Sequence, residues 1–253
     1  MDTAIKEQPK DQPDIVDRMF SVGAHFGVTK ARRHPTAIPQ LFGMKQNIDI
    51  FDLEKTAVQL EEVKAVVRQL GQERKVLLFV GGKAESQRFV KNAALRASAP
   101  YSIGRWIGGT ITNFSEIRKR IARMESLIKD RETGALSKYT KLERLRIDRE
   151  IEKLEKMYAG LTALGDRLPD ALFVVDPRHE AIAVREAKQK NIQIIALANS
   201  DCNLTNIDHA ISANDAAPKS IEFFVEEVAS AYLEGKQQAP AATTPAGEAT
   251  VSR

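Results

Sequence analysis

Apolar residues recur along this chain in two rhythms: short unbroken runs, and stripes with helical spacing. Within the segments 75–80, 168–176 and 193–197, residues 76–80, 171–175 and 194–197 are apolar at successive positions. Both faces of each strand must therefore be covered, as in a parallel sheet. Weaker strand signals fall at 47–51, where apolar and polar residues alternate, at 101–103 and near 209–211. Asp52 stands where an N-cap is needed, ahead of Leu53, Ala57, Leu60, Val63, Val67 and Leu70, and Gly71 is expected to end that helix. Further helices are expected at 14–22 (opened by Asp14), 84–97, 180–190 and 217–233. Strands alternating with helices predict an α/β fold, a mostly parallel flavodoxin- or Rossmann-like sheet flanked by helices and joined by right-handed crossovers.

The alternation breaks between 112 and 163. One arm spaces Ile117, Ile121, Met124 and Ile128 by four, three and four, and a second does the same with Ile147, Ile151, Leu154, Tyr158 and Leu161. A polar interruption near Thr133 and Gly134 separates them. Narrow stripes amid dense charge predict an inserted, projecting antiparallel coiled-coil hairpin, against the plainer alternative of two surface helices lying on the sheet. The expected domain map is a flexible tail at 1–13, an α/β domain from 14–111 and 164–235, the insertion at 112–163, and a disordered tail at 236–253. That last stretch offers hardly any large apolar side chain.

Charge changes the picture most. Between Asp17 and Asp49 there is no acidic residue, yet Arg18, Lys30, Arg32, Arg33, Lys45, His25 and His34 all fall there. Gly and Pro punctuate the stretch, so an irregular, basic surface loop is expected, and one-sign surfaces of this kind suit a polyanion. A second acid-free stretch, 87–114, holds Arg88, Lys91, Arg96 and Arg105. By contrast 162–234 has six Lys and Arg against twelve Asp and Glu, which suggests a flank facing water or protein neighbours. An apolar fraction of 43% supports a real core, while no run reaches the ~18 residues a membrane span needs. The first ten residues mix both charges, unlike a secretory signal or transit peptide. With a single cysteine, Cys202, no internal disulfide is possible and a reducing cytoplasm is the expected location.

Enzyme chemistry finds little footing. Strand, Gly81-Gly82-Lys83 and helix in succession resemble a nucleotide platform. Phosphate loops, however, need a longer glycine pattern, and Lys83 is followed by Ala84 rather than a metal-binding hydroxyl. Cys202 has only Asp201 and His209 near it in sequence, and no paired carboxylates or nucleophile–base spacing stand out. No catalytic residue, metal site or cofactor is expected.

Four segments then carry a resemblance. They are Val22-Gly-Ala-His-Phe-Gly27 with Arg32, Arg33, His34 and Pro35; Phe51-Asp-Leu-Glu-Lys-Thr56; Arg105-Trp-Ile-Gly-Gly-Thr-Ile-Thr-Asn-Phe114; and Leu168-Pro-Asp-Ala-Leu-Phe-Val-Val-Asp176 with Glu180, Ala183, Glu186 and Ala187. In this order and spacing they resemble the bacterial small-subunit ribosomal protein S-two family, over roughly 15–233. The resemblance implies a non-enzymatic structural protein with a parallel α/β domain and a projecting coiled-coil hairpin. It implies binding to small-subunit ribosomal RNA near the junction of head and body, beside neighbouring small-subunit proteins. In some bacteria such proteins also help recruit the large mRNA-binding protein of the small subunit. Val28 and Thr29 depart from the family pattern, as does Cys202, which replaces a proline in a loop and leaves it less rigid.

Candidate RNA contacts follow. Lys30, Arg32, Arg33 and Lys45 could converge on phosphates from an irregular backbone. His25 could serve RNA or satisfy a buried carbonyl, and His34 lies beside the arginines. Lys83 and Arg88 follow a strand C-terminus, where open α/β sheets place ligands. Arg105 could pair with a phosphate, and Trp106 could stack on an unpaired base or anchor the core. Arg118 and Lys119 crowd one helical turn of the insertion.

Overall fold

The computed structural model describes residues 14–239. The chain opens with α1 (Ile15–Ser21), for which Asp14 occupies the N-cap position without its side chain capping anything. It then builds not the irregular loop expected from its glycines and prolines but a small antiparallel sheet. The strands β1 (Phe26–Thr29), β2 (Leu41–Lys45) and β3 (Ile48–Phe51) lie in the order β1-β3-β2. The correction has a local cause. Gln46 and Asn47 both take positive φ, 50° and 66°, between the paired residues Lys45 and Ile48, which makes the two-residue hairpin whose twist suits flanking strands. Strand β3 turns Asp49 and Phe51 inward and leaves Ile48 and Ile50 half-covered.

Helix α2 (Leu53–Gln72) starts as its sequence demands, with Asp52 Oδ1 accepting from the amides of Glu54 (3.2 Å) and Lys55 (3.4 Å). There follow β4 (Leu77–Gly81), α3 (Ala84–Arg96), β5 (Tyr101–Ile103), α4 (Phe114–Glu132), α5 (Lys141–Tyr158), β6 (Ala171–Val175), α6 (Ala181–Gln189), β7 (Gln193–Ala198), β8 (His209–Ser212) and α7 (Pro218–Gln238). Neither Gly71 nor Gly235 ends a helix. A Cβ on Gly71 would come 2.6 Å from the Tyr232 carbonyl, and one on Gly235 would come closer still, 2.1 Å, to the Arg68 carbonyl. Both glycines let α2 and α7 cross with backbones nearly touching. Consequently α7 runs past its expected end at 233, and residues 236–238 are helical rather than tail. Residues 1–13 and 240–253 of the expected tails lie outside the described residues.

Strands β4 to β8 form one parallel sheet in the order β5-β4-β6-β7-β8. Numbered within that sheet, the order is 2-1-3-4-5, the flavodoxin-like arrangement whose ligand crevice lies at the carboxyl ends of the strands. Alternation along each strand splits the core into two faces. Leu77, Phe79, Phe173, Ile195 and Ile211 pack against α2, α3 and α7. Leu78, Val80, Leu172, Val174 and Ile194 pack with α6, Trp106 and Ile111. Full burial of each such side chain contributes about 1.5–3 kcal/mol.

The same second core continues into α4 and α5. Ile117, Ile121, Met124 and Leu127 on α4 meet Ile151, Leu154 and Tyr158 on α5. Leu127, not Ile128, is the fully buried member of its turn; Ile128 is only partly covered. Gly134, at φ 73°, reverses the chain between the helices, and a capping box joins Thr140 to Glu143 at the start of α5.

Candidate nucleic-acid interface

The loop between β5 and α4 is organised by one carboxylate. Glu186, on the inner side of α6 and 7% exposed, accepts from Trp106 Nε1 (3.3 Å) and from the amides of Gly109 (2.7 Å), Ile111 (3.0 Å) and Thr112 (3.1 Å). It also accepts from Thr112 Oγ1 (3.1 Å). Burial alone would raise its pKa, but the amides and the indole outweigh that and hold it below the ordinary carboxylate range. Trp106 is therefore a core anchor at 5% exposure and not a stacking platform, whereas Arg105 beside it points outward. The sequence names Glu186 only as part of the fourth segment and gives it no role. Its signal is a carboxylate on the apolar side of a short helix, flanked by Ala183 and Ala187.

A second cluster sits where β4 and β6 end. Lys83 Nζ lies 2.5 Å from Asp176 Oδ2 and 3.4 Å from Asp215 Oδ2. Burial would lower the lysine pKa, yet the two carboxylates prevail and raise it. Asp176 adopts φ 61°, and its Oδ1 also accepts from the amides of Arg178 and His179, both at 3.0 Å. Burial raises the Asp176 carboxyl, but Lys83 and these amides bring it below normal. Asp215 accepts from the Asn199 side-chain amide (2.8 Å) instead of from backbone amides, and burial together with the Asp176 charge still pushes it up to about 6. Asp176, Cys202 and Asp215 bring potential metal-ligand atoms within 4.8 Å of one another. The lysine ammonium already occupies the space between the two carboxylates, and burial beside three aspartates drives the Cys202 thiol strongly up, so it is no nucleophile.

The glycine turn after β4 is equally committed. The Gly82 amide serves the buried Glu180 carboxylate, its carbonyl accepts from Gln87 Nε2 (2.9 Å), and a Cβ at Gly82 would collide with Glu180. The amide that a phosphate loop would aim at an anion thus faces a carboxylate, and Lys83 faces inward.

The remaining expected contacts divide between structural and outward-facing groups. Arg33 forms a two-pronged pair with Asp49, which is fully buried; one prong, Nε to Oδ2, measures 2.9 Å. His34 caps the short 3₁₀ turn Pro35–Gln40 through Nδ1, which receives the Thr36 amide at 3.3 Å. Its own amide reaches the Ser200 carbonyl at 2.8 Å, tying the small sheet to the carboxyl end of β7. His25 is held between Phe20 (4.5 Å between centroids) and Phe26 (4.0 Å), and burial lowers its pKa. Arg118 pairs with Asp166 at 2.7 Å and Lys119 with Glu116 at 2.6 Å, both on the helix pair and away from the crevice. Arg32 stays exposed, 3.4 Å from Asp201. Lys30, Lys45, Arg88 and Arg105 are exposed, and among the described residues none has a side-chain hydrogen bond or ion pair. Arg105 and Gly104 share with Gly82, His179 and Glu180 a cleft of about 420 Å³ at the strand ends.

Set against known proteins, residues 19–235 match a family model described as Ribosomal protein S2. The small ribosomal subunit protein uS2 of Coprothermobacter proteolyticus is 40% identical over 220 residues, covering 87% of this chain and 82% of that protein. The proteins of the same name from Roseiflexus sp. RS-1 and Roseiflexus castenholzii are 39% and 40% identical, with 84% and 83% of their lengths covered.

Proposed function

The chain belongs to the ribosomal protein S2 family, whose members are structural and not enzymatic, and from that premise we propose how it serves the ribosome. It binds small-subunit ribosomal RNA near the head–body junction, on the cytoplasmic ribosome, and so supports translation. The family match running through both sheets and the helix pair carries this reading. The unpaired cations Lys30, Lys45, Arg88 and Arg105 support it, because each is available to displace a condensed counterion from a phosphate.

In this reading 14–111 and 164–235 form the RNA-binding domain, and 112–163 is a coiled-coil hairpin projecting from it. The knob-like burial of Ile121, Met124, Ile151 and Leu154 supports that, as does exposure of Leu142 and Leu145 on the outer part of α5. Neighbouring small-subunit proteins and the large mRNA-binding protein of the subunit are its protein partners. No helix among the described residues is long and apolar enough to cross a membrane. The test is a sucrose gradient of lysate containing the tagged full-length chain at low magnesium. Co-sedimentation with small subunits is expected, and a chain that stays at the top of the gradient while untagged small subunits sediment normally overturns the proposal.

A further inference from the structure

By count, 162–234 repels a polyanion, with twelve acids against six bases. Folding reverses this on one face. Asp176, Glu180, Glu186 and Asp215 all turn inward, each under 9% exposed, where amides, His179 or Lys83 absorb their charge. Arg178, Arg185 and Lys188 turn outward and line one wall of a cleft of about 620 Å³. Its opposite wall is the loop after β7, with Asn203 and Asn206, and Ala181 and Val184 supply an apolar floor. Arg185 has no hydrogen bond or ion pair among the described residues. Lys188 Nζ rests 2.6 Å from Asn206 Oδ1, a neutral amide that leaves its charge uncompensated. The one carboxylate lining the cleft, Asp201, is taken by Arg178 and by Arg32.

We propose that this cleft is an RNA subsite that holds one unpaired nucleotide. The base lies on the floor formed by Ala181 and Val184 with its polar edge at the Asn203 and Asn206 amides, while flanking phosphates meet Arg185 and Lys188. Unpaired bases are recognised by hydrogen bonds to their edges and by stacking, on arginine planes among others, and this cleft offers amide edges, guanidinium groups and an apolar seat together. An acidic peptide would use the cations but leave the floor and both amide edges idle. The proposal rests on the RNA-binding reading above and adds a contact surface whose lining includes none of Lys30, Lys45, Arg88 or Arg105.

Fluorescence anisotropy of the full-length chain with a labelled single-stranded RNA, titrated with salt, tests it. For the R185Q/K188Q variant the slope of log affinity against log salt should shrink by about 1.4, since each phosphate contact on a single strand contributes about 0.7. Over the decade of salt below 1 M that corresponds to roughly 25-fold weaker binding at 0.1 M. A181W, which fills the floor, should weaken binding of the base-bearing strand more than that of an abasic strand of equal charge. Both variants should keep the wild-type melting curve, and R185Q/K188Q, which adds no tryptophan, should also keep Trp106 emission. Unaltered slope and affinity in a folded R185Q/K188Q chain overturn the subsite while leaving RNA binding by the wild type intact. Absence of any salt-dependent RNA binding by the wild type overturns the parent reading and the subsite together. A variant that loses only a poly-glutamate peptide, with RNA unaffected, makes the cleft a protein acceptor and sinks the proposal.

Discussion

Replacing Glu186 with alanine should unfasten the Arg105–Asn113 loop from the body of the protein. Five donors converge on this carboxylate, and alanine leaves the Trp106 indole and three backbone amides without their acceptor. A buried group left unsatisfied costs about 1–3 kcal/mol. Water can reach Gly109 and Thr112, which are only partly buried, so the expected total is about 3 kcal/mol, well short of the sum over all five donors. For a domain of this size that lowers the melting temperature by roughly 6–12 °C. Glu186→Gln should do nearly as much harm, because its amide nitrogen would face another N–H. Trp106 is the only tryptophan, so its emission reports this loop directly and should shift to the red in both variants. The acid limb supplies a second readout. The Glu186 carboxyl is depressed in the folded state, so its contribution is present above its unfolded value near 4.5 and is lost as pH falls through the folded value. The Gln variant should lack that limb. A melting temperature within about 1 °C of wild type with unchanged Trp106 emission in E186A would refute the reasoning.

Other expectations follow from the same geometry. Asp215, raised to about 6, carries a cost that appears as pH climbs from its unfolded value near 3.8 and is complete above about 6. D215N should therefore gain on wild type by up to about 3 kcal/mol between pH 4 and 7.5 in urea titrations, and a pH-independent difference contradicts this. Lys83→Met leaves two buried carboxylates facing each other and should destabilise by about 3–5 kcal/mol, without changing the salt slope of RNA binding in the folded fraction. A changed slope would make Lys83 a phosphate contact after all. Neutralising Lys30, Lys45, Arg88 and Arg105 to glutamine should flatten the salt slope by about 3 with the melting curve unmoved. Arg33→Gln, by contrast, should lower the melting temperature by orphaning the buried Asp49. Gly71→Ala should force α2 off α7 and cost more than the helix propensity it gains, which differential scanning calorimetry can measure.

What could be read from the residues was what depends on local periodicity. The unbroken apolar runs become the central strands, the 3.6-residue stripes become α2, α3 and α7, and Asp52 caps where it should. What could not be read depends on partners distant in the chain. Gly71 looks like a helix stop until it is seen against the backbone of the last helix, and Gly235 answers it from that helix. The small antiparallel sheet hides behind glycines and prolines because its stability comes from a two-residue turn and from Asp49 meeting Arg33. Charge counting misled most. Five of the candidate contacts, Arg33, His34, Lys83, Arg118 and Lys119, pair with groups of the protein itself, the last two on its exposed surface. The segment counted as acidic, meanwhile, hides several of its carboxylates and displays its arginines. Nothing in a linear count distinguishes a carboxylate that faces water from one that five donors surround.

The glycine-mediated crossing of α2 and α7 also bears on how the molecule comes into being. One side of the main sheet is closed only when a segment near residue 230 reaches one near residue 65, so that layer stays open to solvent through most of synthesis. Contacts so distant in sequence make for slow, late consolidation. Until the last helix docks, Phe79, Phe173 and Ile211 form a greasy surface that a chaperone would be able to grip. A newborn chain stalled short of that point should be the species that aggregates.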